Sequence, residues 1–258
     1  MGILSYERCR AEIINQTALL AASLEGFDLA KQVPACPDWS VNQLVRHVGY
    51  ALEWVDDMIR AGQPGIDLAA NKGLDVSAYT GETADTLGPW LAERASSLAE
   101  ALETVSPDEP IAMIAPGLPG PRMWSRRMVH EMVMHRWDVE TTLGVEFSAD
   151  PEVLSDTVTE WTAVALPFAF VRQPAETAPL LGPGNTVHLH ATDAELELVI
   201  DFTGPRPVVR EGHEKAAVAV RGPLLDLVLA VYRRRSVAGL EVFGDVELLE
   251  LFLDRIRF

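Results

Sequence analysis

The sequence predicts an α+β protein in which a helical bundle precedes a smaller mixed domain. Two changes along the chain support this prediction. Apolar residues recur at the 3.6-residue spacing of helices through the first two thirds, and at the two-residue spacing of strands from Thr186 onward. Between these regions, residues 173–184 are rich in proline and glycine, which is typical of a boundary. We therefore predict two domains, covering residues 1–172 and 185–258.

Five helices are predicted in the first domain. A capping box of Ser40 and Gln43 begins the second helix, and Gly62 ends it. Asp150 is a suitable N-cap for the fifth helix because a proline follows it at the first turn. Five prolines and two glycines make residues 106–121 a predicted loop. The first four helices are expected at about residues 5–25, 40–61, 89–105 and 126–142.

The second domain is predicted to follow the order β-β-β-α-β-α. In the first strand Val187, Leu189 and Ala191 alternate with His188 and His190, which indicates a half-solvated sheet. We expect the two histidines to occupy the exposed face without a special role. The predicted strands cover about residues 186–192, 195–202, 216–220 and 240–243, and the predicted helices cover 223–233 and 245–255.

The composition argues against several classes of partner. The formal net charge of −17 disfavours nucleic acids and anionic membranes. No apolar run approaches the roughly 20 residues of a membrane span, and the start of the sequence lacks a signal-peptide pattern. Cys9 and Cys36 are too few for a disulfide framework or a four-cysteine zinc site. We expect a cytoplasmic protein, either a monomer or a homodimer, that binds small molecules.

The fourth predicted helix carries a pair of residues suited to metal binding. Glu131 and His135 are four positions apart, so they lie within about 40° of each other around the helix, and Asp138 falls on the same arc. A carboxylate and an imidazole on one face can bind a divalent metal. His130 diverges from His135 by about 140° and cannot share that metal, so another ligand must come from elsewhere. A solvated surface pair is the alternative.

Three segments together resemble a known family. They are CPDWSVNQLVRHVG at 36–49, RRMVHEMVMHRWDVE at 126–140, and VRGPLLDLVLAVYRRRSVAGLEVFGD at 220–245. The chain resembles the mycothiol-dependent maleylpyruvate isomerase family of actinobacteria over nearly its full length. That resemblance implies that the N-terminal domain is a DinB-like, up-and-down four-helix bundle. It also implies a bound divalent metal, usually zinc, and mycothiol as the thiol cosubstrate.

The resemblance assigns roles to four residues. The positions that match the family's metal ligands are His47, Glu131 and His135, although His47 alone could be an ordinary histidine at the edge of the core. The family's C-terminal motif contains a catalytic arginine in a Gly-Arg-Arg context, and its counterpart here is Arg234. Arg233 stands where glycine is common. We predict that Arg234 binds a carboxylate and faces the metal across the domain interface; a solvated helix end is the alternative.

Two questions about the site remain open from the sequence. Asp138 is expected to orient a histidine, since outer carboxylates often do so, but a helix-capping role or an ion pair with Arg127 or Arg136 is the alternative. Neither cysteine follows a motif for an attacking thiol, so an external thiol is the consistent donor.

The chemistry follows from the open fourth position of a three-ligand metal site. A thiol bound there would lose its proton near neutral pH. The thiolate could add to an activated double bond, allow rotation and leave, which isomerises a dicarboxylate, or it could be transferred to another electrophile. We therefore predict a zinc-dependent, mycothiol-using isomerase or transferase acting on a small molecule. A non-catalytic metal-binding or small-ligand-binding stress or sensor protein is the alternative.

Overall fold

The computed structural model describes residues 3–114 and 118–256. The chain divides into two compact units, one formed by Leu4–Ser148 and the other mainly by the chain from Ala149 onward. The N-terminal unit is helical and the C-terminal unit is mixed, so the predicted α+β fold class is confirmed. Within the described residues, no helix combines the length and the apolar character that crossing a membrane requires.

The described part of the N-terminal unit contains a four-helix bundle. The elements are α1 (Tyr6–Ser23), β1 (Gln32–Val33), β2 (Cys36–Ser40), α2 (Val41–Ala61), α3 (Ala84–Glu103) and α4 (Gly120–Leu143). Each of α1 and α2 packs mainly against both α3 and α4, so the order around the bundle is α1, α3, α2, α4. A small antiparallel ribbon, β1 with β2, precedes α2.

The start of α2 is fixed as predicted. The backbone N–H of Ser40 donates to Oε1 of Gln43 at 2.9 Å, and Oγ of Ser40 accepts from the backbone N–H of Gln43 at 3.4 Å. This reciprocal pair satisfies two N–H groups that the first turn leaves without helical partners. Gly62 ends the helix in the left-handed conformation, with φ 61°.

Two helices begin earlier than predicted. Helix α3 starts at Ala84 and carries Pro89, the predicted first residue, in its second turn. Helix α4 starts at Gly120 rather than Arg126, with Pro121 in its first turn, where the missing N–H of proline costs nothing. The predicted loop at 106–121 is correspondingly shorter, and its residues 115–117 lie outside the described residues.

The described residues of the C-terminal unit contain a five-stranded sheet and several helices. The elements are α5 (Pro151–Arg172), α6 (Pro174–Thr177), β3 (Thr186–Ala191), β4 (Glu197–Asp201), β5 (Val208–Glu211), β6 (Val218–Gly222), α7 (Leu224–Val231), β7 (Glu241–Gly244) and α8 (Val246–Arg255). The order of strands in the sheet is β5-β4-β3-β6-β7. Strands β3 and β6 are parallel, and the other neighbours are antiparallel. Strand β5 was not predicted, because its short, charged sequence shows no apolar alternation.

Helix α5 belongs with the C-terminal unit. The ring of Trp161 meets that of Phe252 edge-on at 5.8 Å between centroids, and Phe170 stacks on Phe202 at 6.1 Å. The change from helical to strand periodicity does occur across residues 173–184, as predicted. The compact units nevertheless divide one helix earlier than residue 172, because the aromatic residues of α5 pack on the sheet and on α8.

The prediction that His188 lies on an exposed strand face is wrong. Strand β3 is the central strand of the sheet, and His188 is only 3% exposed. Its neighbours in the alternation, Val187 and Leu189, are buried as predicted. Both faces of β3 are therefore covered at its centre, which a period-two pattern of polar and apolar residues does not indicate.

Candidate metal centre

Three predicted ligands meet between α2 and α4. Nε2 of His47 lies 3.4 Å from Oε1 of Glu131, and Nε2 of His135 lies 3.2 Å from the same oxygen. The two imidazole rings are nearly perpendicular, with centroids 5.3 Å apart. One ligand atom from each side chain lies within 4.8 Å of the other two. This separation is compatible with one ion bonded to all three at about 2.0–2.2 Å.

The outer nitrogen of each imidazole is already engaged. Nδ1 of His47 donates to the carbonyl oxygen of Gly73 at 2.7 Å, because a carbonyl can only accept. Nδ1 of His135 donates to Oδ2 of Asp138 at 2.9 Å. In each neutral ring the lone pair is therefore on Nε2, which points toward Glu131. This arrangement, in which outer acceptors fix the tautomer of metal-binding histidines, fits a divalent metal.

The partner of His47 is supplied by a short 3₁₀ turn, Lys72–Leu74. Gly73 sits so close to α2 that a Cβ atom there would lie 2.9 Å from the backbone oxygen of His47. Oδ1 of Asn71 accepts from the N–H of Gly73 and holds the turn in place. On the other side, the ring of Trp39 packs against His47 with centroids 4.6 Å apart. The histidine is therefore fixed by contacts from both sides.

Glu131 is held by a cation on its own helix. The guanidinium of Arg127, one turn earlier, binds Oε2 and leaves Oε1 facing the two histidines. Burial alone would raise the pKa of Glu131, but the charges of Arg127 and His135 hold that pKa well below its usual value. The carboxylate is therefore ionised and presents one oxygen to the centre.

His135 carries a proton when no metal is bound. Burial lowers its pKa, but the carboxylates of Glu131 and Asp138 outweigh burial and raise the pKa to about 9. At neutral pH a positive charge thus already lies between these two carboxylates. A bound cation would take the place of that proton, because a histidine must lose its proton to bind a metal ion.

Asp138 lies where an orienting residue should lie, with its carboxylate fully buried against His135.

Sequence reasoning missed Cys36. Its sulfur lies within 4.8 Å of ligand atoms of His135 and Asp138. Strand β2 places this cysteine beside α4, and its presence in the same short segment as His47 was the available signal.

Arg234 lies in the C-terminal unit, just after α7. Arg233 has φ 60°, a left-handed conformation that favours glycine, at the position where the resemblance places glycine. The N–H groups of Arg233 and Arg234 donate to the carbonyl oxygens of Ala230 and Leu229, which ends the helix. Nη1 of Arg234 donates to the carbonyl oxygen of Tyr232 at 3.1 Å. The predicted role of Arg234 stays a prediction.

Comparison with known proteins gives a consistent result. The Mycothiol maleylpyruvate isomerase N-terminal domain matches residues 10–140, and the MDMPI C-terminal domain matches residues 151–251. The division between the compact units, after Ser148, falls between these two matches. A search of curated protein sequences finds no match.

Two solved structures share the fold. A crystal structure of the mycothiol-dependent maleylpyruvate isomerase is similar with a TM-score of 0.62 and 15% identity, covering 93% of each chain. A histidine-to-alanine mutant of the mycothiol-dependent maleylpyruvate isomerase is similar with a TM-score of 0.59 and 16% identity, covering 90% of this chain and 91% of that one. Together, the two domain matches account for most of the chain, which therefore belongs to the mycothiol maleylpyruvate isomerase family.

Proposed function

We propose that this protein is a metal-dependent enzyme that uses mycothiol to isomerise a small unsaturated dicarboxylate such as maleylpyruvate. The observation that carries the proposal is the convergence of His47, Glu131 and His135 from two helices. Three protein ligands leave a fourth tetrahedral position open, which is the property of catalytic rather than structural zinc sites. Family membership supports the choice of thiol and of substrate class.

Two nitrogen donors and one carboxylate oxygen suit zinc, although other divalent transition ions accept the same set. A divalent metal held there would supply a Lewis acid that favours the thiolate form of a thiol near neutral pH. The protein contributes the geometry. Gly73 and Asp138 hold the two histidines in the tautomer that exposes Nε2, and Arg127 turns Glu131 so that one oxygen faces inward.

The proposed isomerisation requires neither an oxidant nor a reductant. The thiolate sulfur adds to the activated carbon–carbon double bond, and the electron pair of that bond moves toward the conjugated carbonyl group. The former double bond is now single and can rotate. Elimination of the same thiolate restores the double bond in the other geometry. If the electrophile carries a leaving group instead, the carbon–sulfur bond forms as the bond to that group breaks, the group departs with the electron pair, and the reaction is a transfer.

We propose that Arg234 binds a carboxylate of the substrate. A planar guanidinium can bind a carboxylate through two parallel hydrogen bonds, which fixes its orientation. The left-handed backbone at Arg233 supports the alignment of Arg234 with the family's arginine, because that conformation explains why glycine is common at the preceding position.

The test compares two chemically identical changes on α4. Glu131→Gln removes a proposed ligand, whereas Glu140→Gln alters a buried carboxylate that pairs with Arg136. We expect Glu131→Gln to abolish metal binding by the bundle, thiol binding measured by calorimetry, and turnover of maleylpyruvate with mycothiol. Glu140→Gln should retain all three. Cys36→Ser should also retain thiol-dependent turnover, because the attacking thiol is external.

Three outcomes would contradict the proposal. Equal turnover by Glu131→Gln and Glu140→Gln would mean that the metal has no role in the reaction. Turnover without added thiol that disappears in Cys36→Ser would make the protein's own cysteine the nucleophile. Stoichiometric binding of metal and mycothiol with no turnover of any tested electrophile would favour the non-catalytic binding protein instead.

A further inference from the structure

A second cluster of potential ligands lies in the C-terminal unit. His188 and His190 are two residues apart on β3, so their side chains share one face of the sheet. Glu197 on β4 is the direct cross-strand partner of His190, which places its carboxylate on that same face. These residues come from adjacent strands of a hydrogen-bonded sheet, so their spacing is set by a rigid part of the fold.

His213 completes the cluster from the segment after β5. Gly212 has φ 138°, a conformation that favours glycine, and its N–H donates to the carbonyl oxygen of Glu197 at 3.1 Å. The chain is thereby turned so that the ring of His213 returns over the sheet. Nδ1 of His213 donates to Oε2 of Glu197 at 2.8 Å. The His213 side chain is 75% exposed, so the cluster opens to solvent on this side.

The three imidazoles form a nearly equilateral triangle around the carboxylate. The ring centroids are 5.7 Å apart for His188 and His190, 5.5 Å apart for His188 and His213, and 5.7 Å apart for His190 and His213. Nδ1 of His190 lies 3.3 Å from Oε1 of Glu197. One ligand atom from each of the four side chains lies within 4.8 Å of all the others. Four ligands of one ion can occupy such positions after small side-chain rotations.

One buried nitrogen gives an independent indication of a ligand. Nε2 of His188 is inaccessible to solvent and has no hydrogen-bond partner in the described part of the chain. The nearest acidic oxygen, Oε2 of Glu197, is 3.7 Å away, which is too long for a hydrogen bond. Buried polar atoms without a partner are uncommon because they are costly, and coordination of an ion is one way to satisfy such an atom.

We propose that His188, His190, Glu197 and His213 bind one divalent transition-metal ion, separate from the metal centre of the bundle. Three imidazole nitrogens and one carboxylate select zinc, nickel, copper or cobalt over magnesium or calcium, which prefer sites made entirely of oxygen. The ion would satisfy Nε2 of His188. It would also link β3, β4 and the segment after β5, so binding stabilises the folded C-terminal unit.

The competing explanation is a metal-free set of histidine–glutamate contacts. Glu197 would then accept from His190 and His213, and these exposed or half-buried contacts would contribute little to stability. Such a set leaves the nitrogen of His188 unsatisfied, and it predicts that metal ions neither bind to nor stabilise the C-terminal unit.

The experiment counts cobalt ions bound per full-length chain by equilibrium dialysis and by visible absorption. The test variant combines Glu197→Gln with His213→Ala, both of which alter partly or largely exposed side chains and so spare the core. The control is Glu195→Gln, which makes the same carboxylate-to-amide change two residues away at an exposed position. Each is made in the wild-type chain and in His47→Ala, which disables the bundle centre.

In both backgrounds we expect the test variant to bind one cobalt ion fewer than the Glu195→Gln control. Added cobalt should raise the melting temperature of His47→Ala, and that rise should be lost when the test variant is combined with it. An equal count of bound ions in the test variant and its control, in either background, would overturn the proposal. Loss of the ion in Glu195→Gln would also overturn it, since that residue is outside the cluster.

Discussion

The buried pair of His135 and Asp138 should make metal binding at the proposed centre dependent on pH in a way that can be measured. The pKa of His135 is about 9 without metal, so at pH 7 the protonated ring outnumbers the neutral ring by roughly 100 to 1. The metal must displace that proton. Apparent affinity should therefore rise about tenfold per pH unit between about pH 7 and 9 and then level off, a total change of about a hundredfold.

Asp138→Asn should alter this profile in two opposing ways. Loss of the carboxylate lowers the pKa of His135 and weakens the competition from protons at neutral pH. It also removes the charge that makes the imidazole a stronger ligand, which costs about 10- to 100-fold in metal affinity. The variant should therefore have a shallower profile, with its largest deficit above about pH 9 and a smaller one at pH 7.

The assay is a zinc titration against a fluorescent chelator at a series of pH values, using protein whose C-terminal histidine cluster carries Glu197→Gln and His213→Ala. Glu140→Gln is the control, since that carboxylate is equally buried on α4 but contacts Arg136. The control should reproduce the wild-type profile. A flat wild-type profile, or an Asp138→Asn affinity equal to wild type in alkaline solution, would contradict the roles given to the His135 proton and to Asp138.

Two further predictions concern activity and stability. Arg234→Ala should lower turnover by about ten- to a hundredfold, because one bidentate carboxylate contact is lost, and bound metal should be retained. Arg235→Ala should change turnover little. Steady-state kinetics with metal analysis tests both variants, and normal turnover by Arg234→Ala would contradict the proposed role. Gly49→Ala should destabilise the protein by about 1–3 kcal/mol, because the new Cβ would lie 2.1 Å from the ring of Trp90. Denaturant unfolding should show a smaller effect of Gly49→Ala in a Trp90→Ala background, and an equal effect in both would rule out this clash.

Local signals predicted much of the N-terminal unit. The capping box at Ser40 and the glycine at residue 62 bound α2 through contacts within a few residues, so the sequence carries them directly. Glu131 and His135 are brought together by helical spacing alone. The remaining proposed ligand, His47, required the family resemblance, because its approach depends on how α2 packs against α4.

Long-range contacts account for what the sequence did not indicate. The hydrogen bond from His47 to Gly73 joins residues 26 positions apart, and no local pattern marks that glycine as an acceptor. The cluster around Glu197 depends on strand register and on the turn at Gly212. That turn brings His213 back beside β4, the strand that carries Glu197 and lies well before His213 in the sequence. Likewise the sequence of α5 predicts a helix without indicating which unit it joins, and its aromatic contacts with Phe202 and Phe252 decide that.

The most direct test of the proposed metal centre is an anomalous diffraction map of zinc-loaded crystals, recorded at the zinc edge with and without mycothiol. We predict a peak about 2.0–2.2 Å from Nε2 of His47, Nε2 of His135 and Oε1 of Glu131, and a sulfur atom about 2.3 Å from that peak when mycothiol is present. A zinc ion held instead by Cys36 and Asp138, or no ion between α2 and α4, would contradict the proposal.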